Sequence, residues 1–155
     1  MAEPEKARNV WGPVAMPRLL ASVLCEDVVG SADPQDTRLT LQRVFFDLAA
    51  DRFPARIYRC AVANVWAVPP GGGRFEAALR IVAPDGSAVA EMEGALAFPE
   101  GSPPIHQQMH YLYNTFLPEP GGYKVEVLLQ AAVVHSYRLE VTGSLEPKPV
   151  QEEDG

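Results

Sequence analysis

Apolar and polar residues alternate along most of this chain with a period of two. The longest example runs from Leu117 to Val141, where a Pro/Gly turn precedes two alternating segments. The alternating positions are Tyr123, Val125, Val127 and Leu129, then Val133, His135, Tyr137, Leu139 and Val141. Because successive side chains of a strand point to opposite faces of a sheet, this pattern predicts a β-hairpin with one buried face.

Upstream segments follow the same period, at residues 18–29, 38–48, 55–68, 74–82, 88–98 and 106–116. Segment 18–29 has apolar residues at both odd and even positions, which predicts a strand covered on both faces for part of its length. In segment 38–48 the parity changes between Leu41 and Val44, which indicates a β-bulge or a bend, and residues 47–52 are alternatively one helical turn. In segment 55–68 the predicted shared face consists of Tyr58, Cys60, Val62, Asn64 and Trp66.

Turn signals separate these segments, most clearly at Pro84-Asp85-Gly86. Proline presets φ and glycine accepts positive φ, so this tripeptide joins two strands. No helical pattern extends beyond about two turns, which excludes βαβ architectures. The sequence therefore predicts an all-β protein: an antiparallel, immunoglobulin-like β-sandwich of seven to eight strands at residues 16–142. A flexible arm at 1–15 and a disordered acidic tail at 143–155 flank it, and Met16 is an alternative start of the protein.

Composition narrows the range of functions. The chain has 155 residues, and the 47% that are hydrophobic exclude wholesale disorder. Its formal net charge of −7 argues against a nucleic-acid partner. The N-terminus has no apolar segment typical of a secretion signal, and no 18-residue apolar run occurs, so a cytoplasmic location without a membrane partner is expected. Cys25 and Cys60 lack the spacing of metal ligands. The sequence is compatible either with two buried, reduced thiols or with a disulfide between them.

Three stretches carry a resemblance to a known kind of protein. They are residues 16–29 (MPRLLASVLCEDVV), the turn Pro84-Asp85-Gly86, and residues 116–125 (FLPEPGGYKV). Together they resemble a family of small, single-domain bacterial β-sandwich proteins of unknown function, whose final "Pro-Gly-x-Tyr" hairpin is similar to that of many immunoglobulin-like domains. The resemblance spans about residues 16–142, implies the fold, and supplies no catalytic residues.

Two groups of residues are candidate ligand sites. His106 and His110 are four residues apart, and His135 lies in the last strand, so the three are weak candidates for a zinc site. Asp33 and Asp36 share a loop that offers about half of the oxygens that Ca²⁺ requires. The simpler interpretation of all five side chains is a solvated surface, and no cofactor is predicted.

Catalytic patterns are weak. There is no Gly-x-Ser-x-Gly motif, and Gly71-Gly72-Gly73 follows two prolines without a lysine or a helix, as a turn would. Glu91 and Glu93 fall on the solvent face of their predicted strand. The sequence therefore favours a protein that is not an enzyme, with no predicted catalytic residue.

Aromatic residues suggest a surface for protein partners. If segment 106–116 forms the edge of a sheet, Tyr111, Tyr113 and Phe116 are candidates for pairing with a partner chain or with a second copy by strand addition. The alternative is that these rings fill the core. The prediction for the whole protein is a non-catalytic interaction domain, self-associating, with small-ligand or metal binding as the alternative.

Overall fold

A computed structural model describes residues 15–143, and the predicted arm and tail fall almost entirely outside this range, so the domain boundaries stay predictions. The strands are β1 (Arg18–Gly30), β2 (Leu39–Val44), β3 (Asp47–Ala50), β4 (Ala55–Ala67), β5 (Gly73–Val82), β6 (Ala88–Phe98), β7 (Ile105–Leu117), β8 (Gly121–Leu129) and β9 (Ala132–Gly143). Over residues 15–143 there is no helix long and apolar enough to cross a membrane.

The strands form two sheets, and this arrangement confirms the predicted immunoglobulin-like β-sandwich. One sheet has the order β2-β1-β4-β7 and the other the order β3-β9-β8-β5-β6. All ladders are antiparallel except the parallel pair β3–β9. The described chain has nine strands rather than the predicted seven to eight.

The additional strand arises where the sequence indicated a bulge or a bend. Segment 38–48 divides into β2, which pairs with β1, and β3, which pairs with β9 in the other sheet. Between them the Phe45 amide donates to the Leu24 carbonyl (3.1 Å), and the Phe46 carbonyl accepts from the Glu140 amide (3.0 Å). The parity change therefore marks a crossover between sheets, and Asp47–Ala50 is a strand rather than a helical turn.

The inner faces of the two sheets form one apolar core. β5 shows the predicted alternation most clearly, with Phe75, Ala77, Leu79 and Ile81 buried. In β1 the neighbours Leu24 and Cys25 are both buried, which confirms a strand covered on both faces at this point. The largest fully buried side chains include those of Trp66 and Tyr123.

A tyrosine corner fixes the turn into the final hairpin. The Tyr123 hydroxyl donates to the Glu119 carbonyl (2.6 Å) and accepts from the Glu119 amide (3.2 Å). Gly121 has φ +140°, and a Cβ there would lie 2.8 Å from the Pro84 side chain, so this position requires glycine. Such a corner, in which a tyrosine bonds to the backbone a few residues upstream, is a hallmark of immunoglobulin-like folds.

Candidate functional site

Exposed aromatic side chains and two arginines lie together on the outer face of the four-stranded sheet. Tyr58 is 68% exposed, Tyr113 61% and Phe116 50%. We call this cluster the aromatic–arginine surface; its members are Arg56, Tyr58 and Arg59 of β4 and Tyr111, Tyr113 and Phe116 of β7. Tyr111, Tyr113 and Phe116 are the partner-interface candidates predicted from the sequence. All six residues lie on the edge strand β7 and on its neighbour β4.

The surface exists because the buried side of β7 changes along the strand. Leu112 and Thr115 are both buried although they are three positions apart, and strict alternation would place them on opposite faces. Asn114 lies between them with φ 56°, in the left-handed region, which asparagine tolerates better than most residues. This local twist turns Phe116 towards solvent.

The buried face of β4 changes at the same level as that of its neighbour β7. Ile57 packs against the core, as does Cys60, and both residues between them are exposed. Tyr58 was predicted to share a face with Cys60 and Val62, but Tyr58 is exposed whereas those two are buried, so that part of the prediction was wrong. Alternation alone does not reveal a change of face that two paired strands make together.

The Arg56 guanidinium packs on aromatic rings, and no carboxylate of the described part of the chain forms an ion pair with it. Its guanidinium carbon lies 4.3 Å from the centre of the Tyr58 ring and 5.4 Å from that of Phe116. Its Nη2 donates to the Tyr58 hydroxyl (3.3 Å) and its Nη1 to Asn114 Oδ1 (3.5 Å). Cation–π contacts of this kind orient the guanidinium and leave its charge unneutralised.

The neighbouring arginines have acidic partners. Arg59 Nη2 lies 3.0 Å from Asp27 Oδ1, and its guanidinium lies 5.8 Å from the centre of the Tyr111 ring. Arg43 Nε lies 3.3 Å from Glu26 Oε1. Within residues 15–143 no ion pair joins Arg56 to a carboxylate, so Arg56 gives the aromatic–arginine surface its uncompensated positive charge.

A cleft of about 790 Å³ adjoins this surface. Asp27 lies on its β1 side and Arg56 to Arg59 on its β4 side. The apolar residues Phe45, Leu48 and Ile57 also line the cleft, and all three pack against the core. The cleft therefore combines an apolar wall with a charged rim.

The three histidines do not converge. His106 and His110 are on one strand, and a separation of four residues at about 3.3 Å each places them roughly 13 Å apart. His106 packs edge-on against Phe98, and His135 lies on β9 beside Tyr137. Among the described residues there is no group of three or more histidine, cysteine, aspartate or glutamate side chains that could hold a metal ion.

A small polar cluster lies inside the sandwich near His110. Gln108 Oε1 accepts from Trp66 Nε1 (2.9 Å) and from Asn64 Nδ2 (3.4 Å). Asn64 Oδ1 and His110 Nε2 are buried and have no hydrogen-bond partner among residues 15–143. Burial lowers the pKa of His110, which keeps its imidazole neutral.

The other predicted side chains are already engaged or inaccessible. Asp36 forms an ion pair with Arg38 (2.7 Å), which lowers the pKa of its carboxyl, and Asp33 Oδ1 accepts from the Gln35 amide (2.9 Å). Cys25 and Cys60 are buried and free, so no disulfide joins them. Burial raises the pKa of Cys60 to about 11, which leaves its thiol protonated at neutral pH.

The class of protein follows from the fold: two packed antiparallel sheets with a tyrosine corner define an immunoglobulin-like β-sandwich. The chain belongs to the family of unknown function DUF6941, which it matches over residues 20–142. This confirms the resemblance drawn from the sequence, and the family description assigns no activity.

Two of the solved structures that are similar to this chain illustrate the likeness. An immunoglobulin-like protein from Pseudomonas aeruginosa has 14% identity and a TM-score of 0.40, over 84% of this chain and 99% of its own. The alkylpurine DNA glycosylase AlkC of Pseudomonas fluorescens, bound to DNA containing an abasic site analogue, has 13% identity and a TM-score of 0.49. That match covers 83% of this chain and 31% of the glycosylase, so the chain spans less than a third of that protein. No curated protein matches the chain in sequence.

Proposed function

We propose that this protein is a non-catalytic interaction domain that associates with a second copy of itself through the edge strand β7. The observation that carries the proposal is the composition of this edge. β7 extends over 13 residues, IHQQMHYLYNTFL, without a charged residue or a proline. A long, uncharged edge offers unpaired backbone groups to another strand.

The strands at the other three ends of the two described sheets have features that discourage pairing. β3 has four residues. β2 has six, among them Arg43 in a left-handed conformation (φ 57°). β6 is long but carries Glu91 and Glu93. Short length, charge and local twist are the usual protections of edge strands, and β7 has only the twist at Asn114.

Self-pairing suits β7 for an electrostatic reason. In a twofold interface each residue meets a position of the same strand in the other copy. Because β7 has no charged side chain, antiparallel pairing with itself opposes no like charges, although the chain carries a net charge of −7. The paired strands would extend the four-stranded sheet across both copies.

The residues beside β7 have the composition of an interface. Tyrosine and arginine are enriched among residues that contribute most of the binding energy, and three exposed rings accompany Arg56 and Arg59. The acidic charge of the chain favours a protein over a nucleic acid as the partner. The buried thiols, with raised pKa, are poor nucleophiles, which supports a non-catalytic role.

The test compares molar mass in solution for the wild type and two matched variants. Tyr113→Lys places a charge on the exposed face of β7, and Val134→Lys places one at a position, 45% exposed, on β9 of the other sheet. We expect light scattering to give twice the 16.9 kDa chain mass for the wild type and Val134→Lys, and the single mass for Tyr113→Lys.

Circular dichroism confirms that each variant is folded. A wild type that is monomeric up to its solubility limit would overturn self-association. A Tyr113→Lys variant that stays dimeric would show that β7 is not the interface.

A further inference from the structure

The inner face of β7 carries polar side chains where an apolar core would be expected. Gln108 and His110 point towards the core, on the same side of the strand as the buried Leu112. β4, which is paired with β7, adds Asn64 to this face beside the core residue Trp66. Asn64 is fully buried and His110 is 6% exposed, so both need hydrogen-bond partners inside the sandwich.

The direction of the hydrogen bonds in this cluster is fixed from one end. Trp66 Nε1 can only donate, so Gln108 Oε1, at 2.9 Å, accepts from it. The same oxygen lies 3.4 Å from the side-chain nitrogen of Asn64, Nδ2, which therefore donates as well. The remaining polar atom of Asn64 is the oxygen Oδ1, which can only accept, and it has no donor among residues 15–143.

Asn64 and His110 are neighbours on one diagonal of the β4–β7 ladder. Trp66 is opposite His106 and bonds to Gln108, two residues further along β7. Asn64 is opposite Gln108, so the same step leads from Asn64 to His110. Residues related in this way lie about 7–8 Å apart. The long side chains of Trp66 and Gln108 meet directly across this distance, whereas the shorter Asn64 forms no hydrogen bond with His110 Nε2.

The opposite sheet leaves room at the level of His110. The ring centres of Phe98 and His106 are 5.2 Å apart, which marks where β6 and β7 face each other. Four residues further from the connecting loop, β6 reaches Gly94 and β7 reaches His110. Gly94 is on the core side of β6, as Leu96 is, but it is exposed, and a Cβ there would meet nothing within 4 Å. A small molecule therefore has a path to the buried pair.

We propose that Asn64 Oδ1 and His110 Nε2 bind one water molecule between them. Water can donate to Oδ1 and can also donate to, or accept from, Nε2. A cation of similar size would need a carboxylate, and no carboxylate faces the core on β4, β6 or β7. The pKa of His110, lowered by burial, agrees with a neutral site.

The bound water completes a network that runs from Trp66 through Gln108 and Asn64 to His110. It ties β7 to β4 through side chains as well as through the backbone ladder. The proposal does not depend on self-association, because all of these residues belong to one copy of the chain.

A high-resolution crystal structure of the full chain tests the site directly. We expect one ordered peak at about 2.7–3.2 Å from both Asn64 Oδ1 and His110 Nε2. A direct hydrogen bond between these two atoms, a protein partner for either of them, or the absence of a peak between them would each overturn the proposal.

A double-mutant cycle in urea, at one fixed protein concentration, tests the site in solution. Asn64→Leu and His110→Phe each remove one partner of the water, so the second substitution should cost less once the first is present. We expect a departure from additivity of about fivefold or more in the unfolding equilibrium constant. Asn64→Leu combined with Arg74→Gln, at an exposed position on β5, is the control and should be additive.

Circular dichroism confirms that each variant is folded. Additivity of Asn64→Leu and His110→Phe, equal to that of the control pair, would overturn the proposal. If Asn64→Leu does not fold, the crystal structure decides. Neither experiment bears on the molar-mass test of self-association.

Discussion

Replacing Tyr123 by phenylalanine isolates the contribution of the tyrosine corner to stability. The ring is fully buried, and phenylalanine preserves its apolar contacts. What is lost is a hydroxyl that donates to the Glu119 carbonyl at 2.6 Å and accepts from the Glu119 amide at 3.2 Å. The substitution therefore tests whether these two hydrogen bonds hold the chain where it enters the final hairpin.

The expected loss of stability follows from the number of bonds and their exposure. A protein hydrogen bond contributes about 0.5–1.5 kcal/mol net, so two bonds set an upper range of about 1–3 kcal/mol. Glu119 is exposed, and water can partly replace the hydroxyl at its backbone groups. We expect a decrease in the free energy of unfolding of about 1.5 kcal/mol, which lowers Tm by roughly 3–6 °C.

Urea unfolding at one fixed protein concentration, followed by tryptophan fluorescence, measures this decrease, because Trp66 is fully buried in the folded protein. The m-value should stay unchanged, since the surface exposed on unfolding is the same. Thr40→Val, which removes an exposed hydroxyl from β2, outside the proposed interface, is the control and should leave stability unchanged within about 0.5 kcal/mol. If Tyr123→Phe were as stable as the control, the corner would not stabilise the fold and the reasoning would be refuted.

Two further predictions concern β7. Asn114→Val should lower the free energy of unfolding by about 1–2 kcal/mol, because a β-branched residue tolerates the left-handed φ of 56° poorly. Asn114→Gly should lower it less, since glycine adopts this φ freely. Equal losses of stability for the two variants in thermal melts would count against backbone strain at this position. Burial lowers the pKa of His110 below its ordinary 6.5, so the free energy of unfolding should be greatest above pH 6.5 and fall as the pH drops through the unfolded-state pKa towards the folded one. His110→Gln should reduce this pH dependence in urea titrations, with the remainder due partly to His106; a wild-type stability that is flat between pH 7 and 5 would contradict it.

Strand positions were predictable because burial of one face imposes a period of two on the sequence. Phe75 to Ile81 and Tyr123 to Leu129 show this directly, and both segments are strands with the expected side buried. The turn at Pro84-Asp85-Gly86 was equally predictable, since Gly86 has φ +93°. These features depend on neighbours in sequence, which the chain alone displays.

The candidate site was only partly predictable. Tyr111, Tyr113 and Phe116 were named as candidates on the condition that their segment forms the edge of a sheet, and β7 is an edge strand. Arg56 and Tyr58 were missed because Tyr58 shares its parity with the buried Cys60, and only the change of face in β4 exposes it. The three histidines, grouped as metal candidates, lie apart because His106 and His110 are roughly 13 Å apart along β7 and His135 is at an exposed position of β9 in the other sheet.

The sequence by itself determined that this protein is an all-β sandwich with a final hairpin entered through a tyrosine, because alternation and turn residues are local properties. Tertiary structure alone decided that segment 38–48 crosses between sheets, that β1 changes partner at Cys25, and that Arg56 lies over Tyr58 and Phe116. Each of these depends on which strands become neighbours. That choice is made by packing between residues distant in sequence, on which the period of two carries no information.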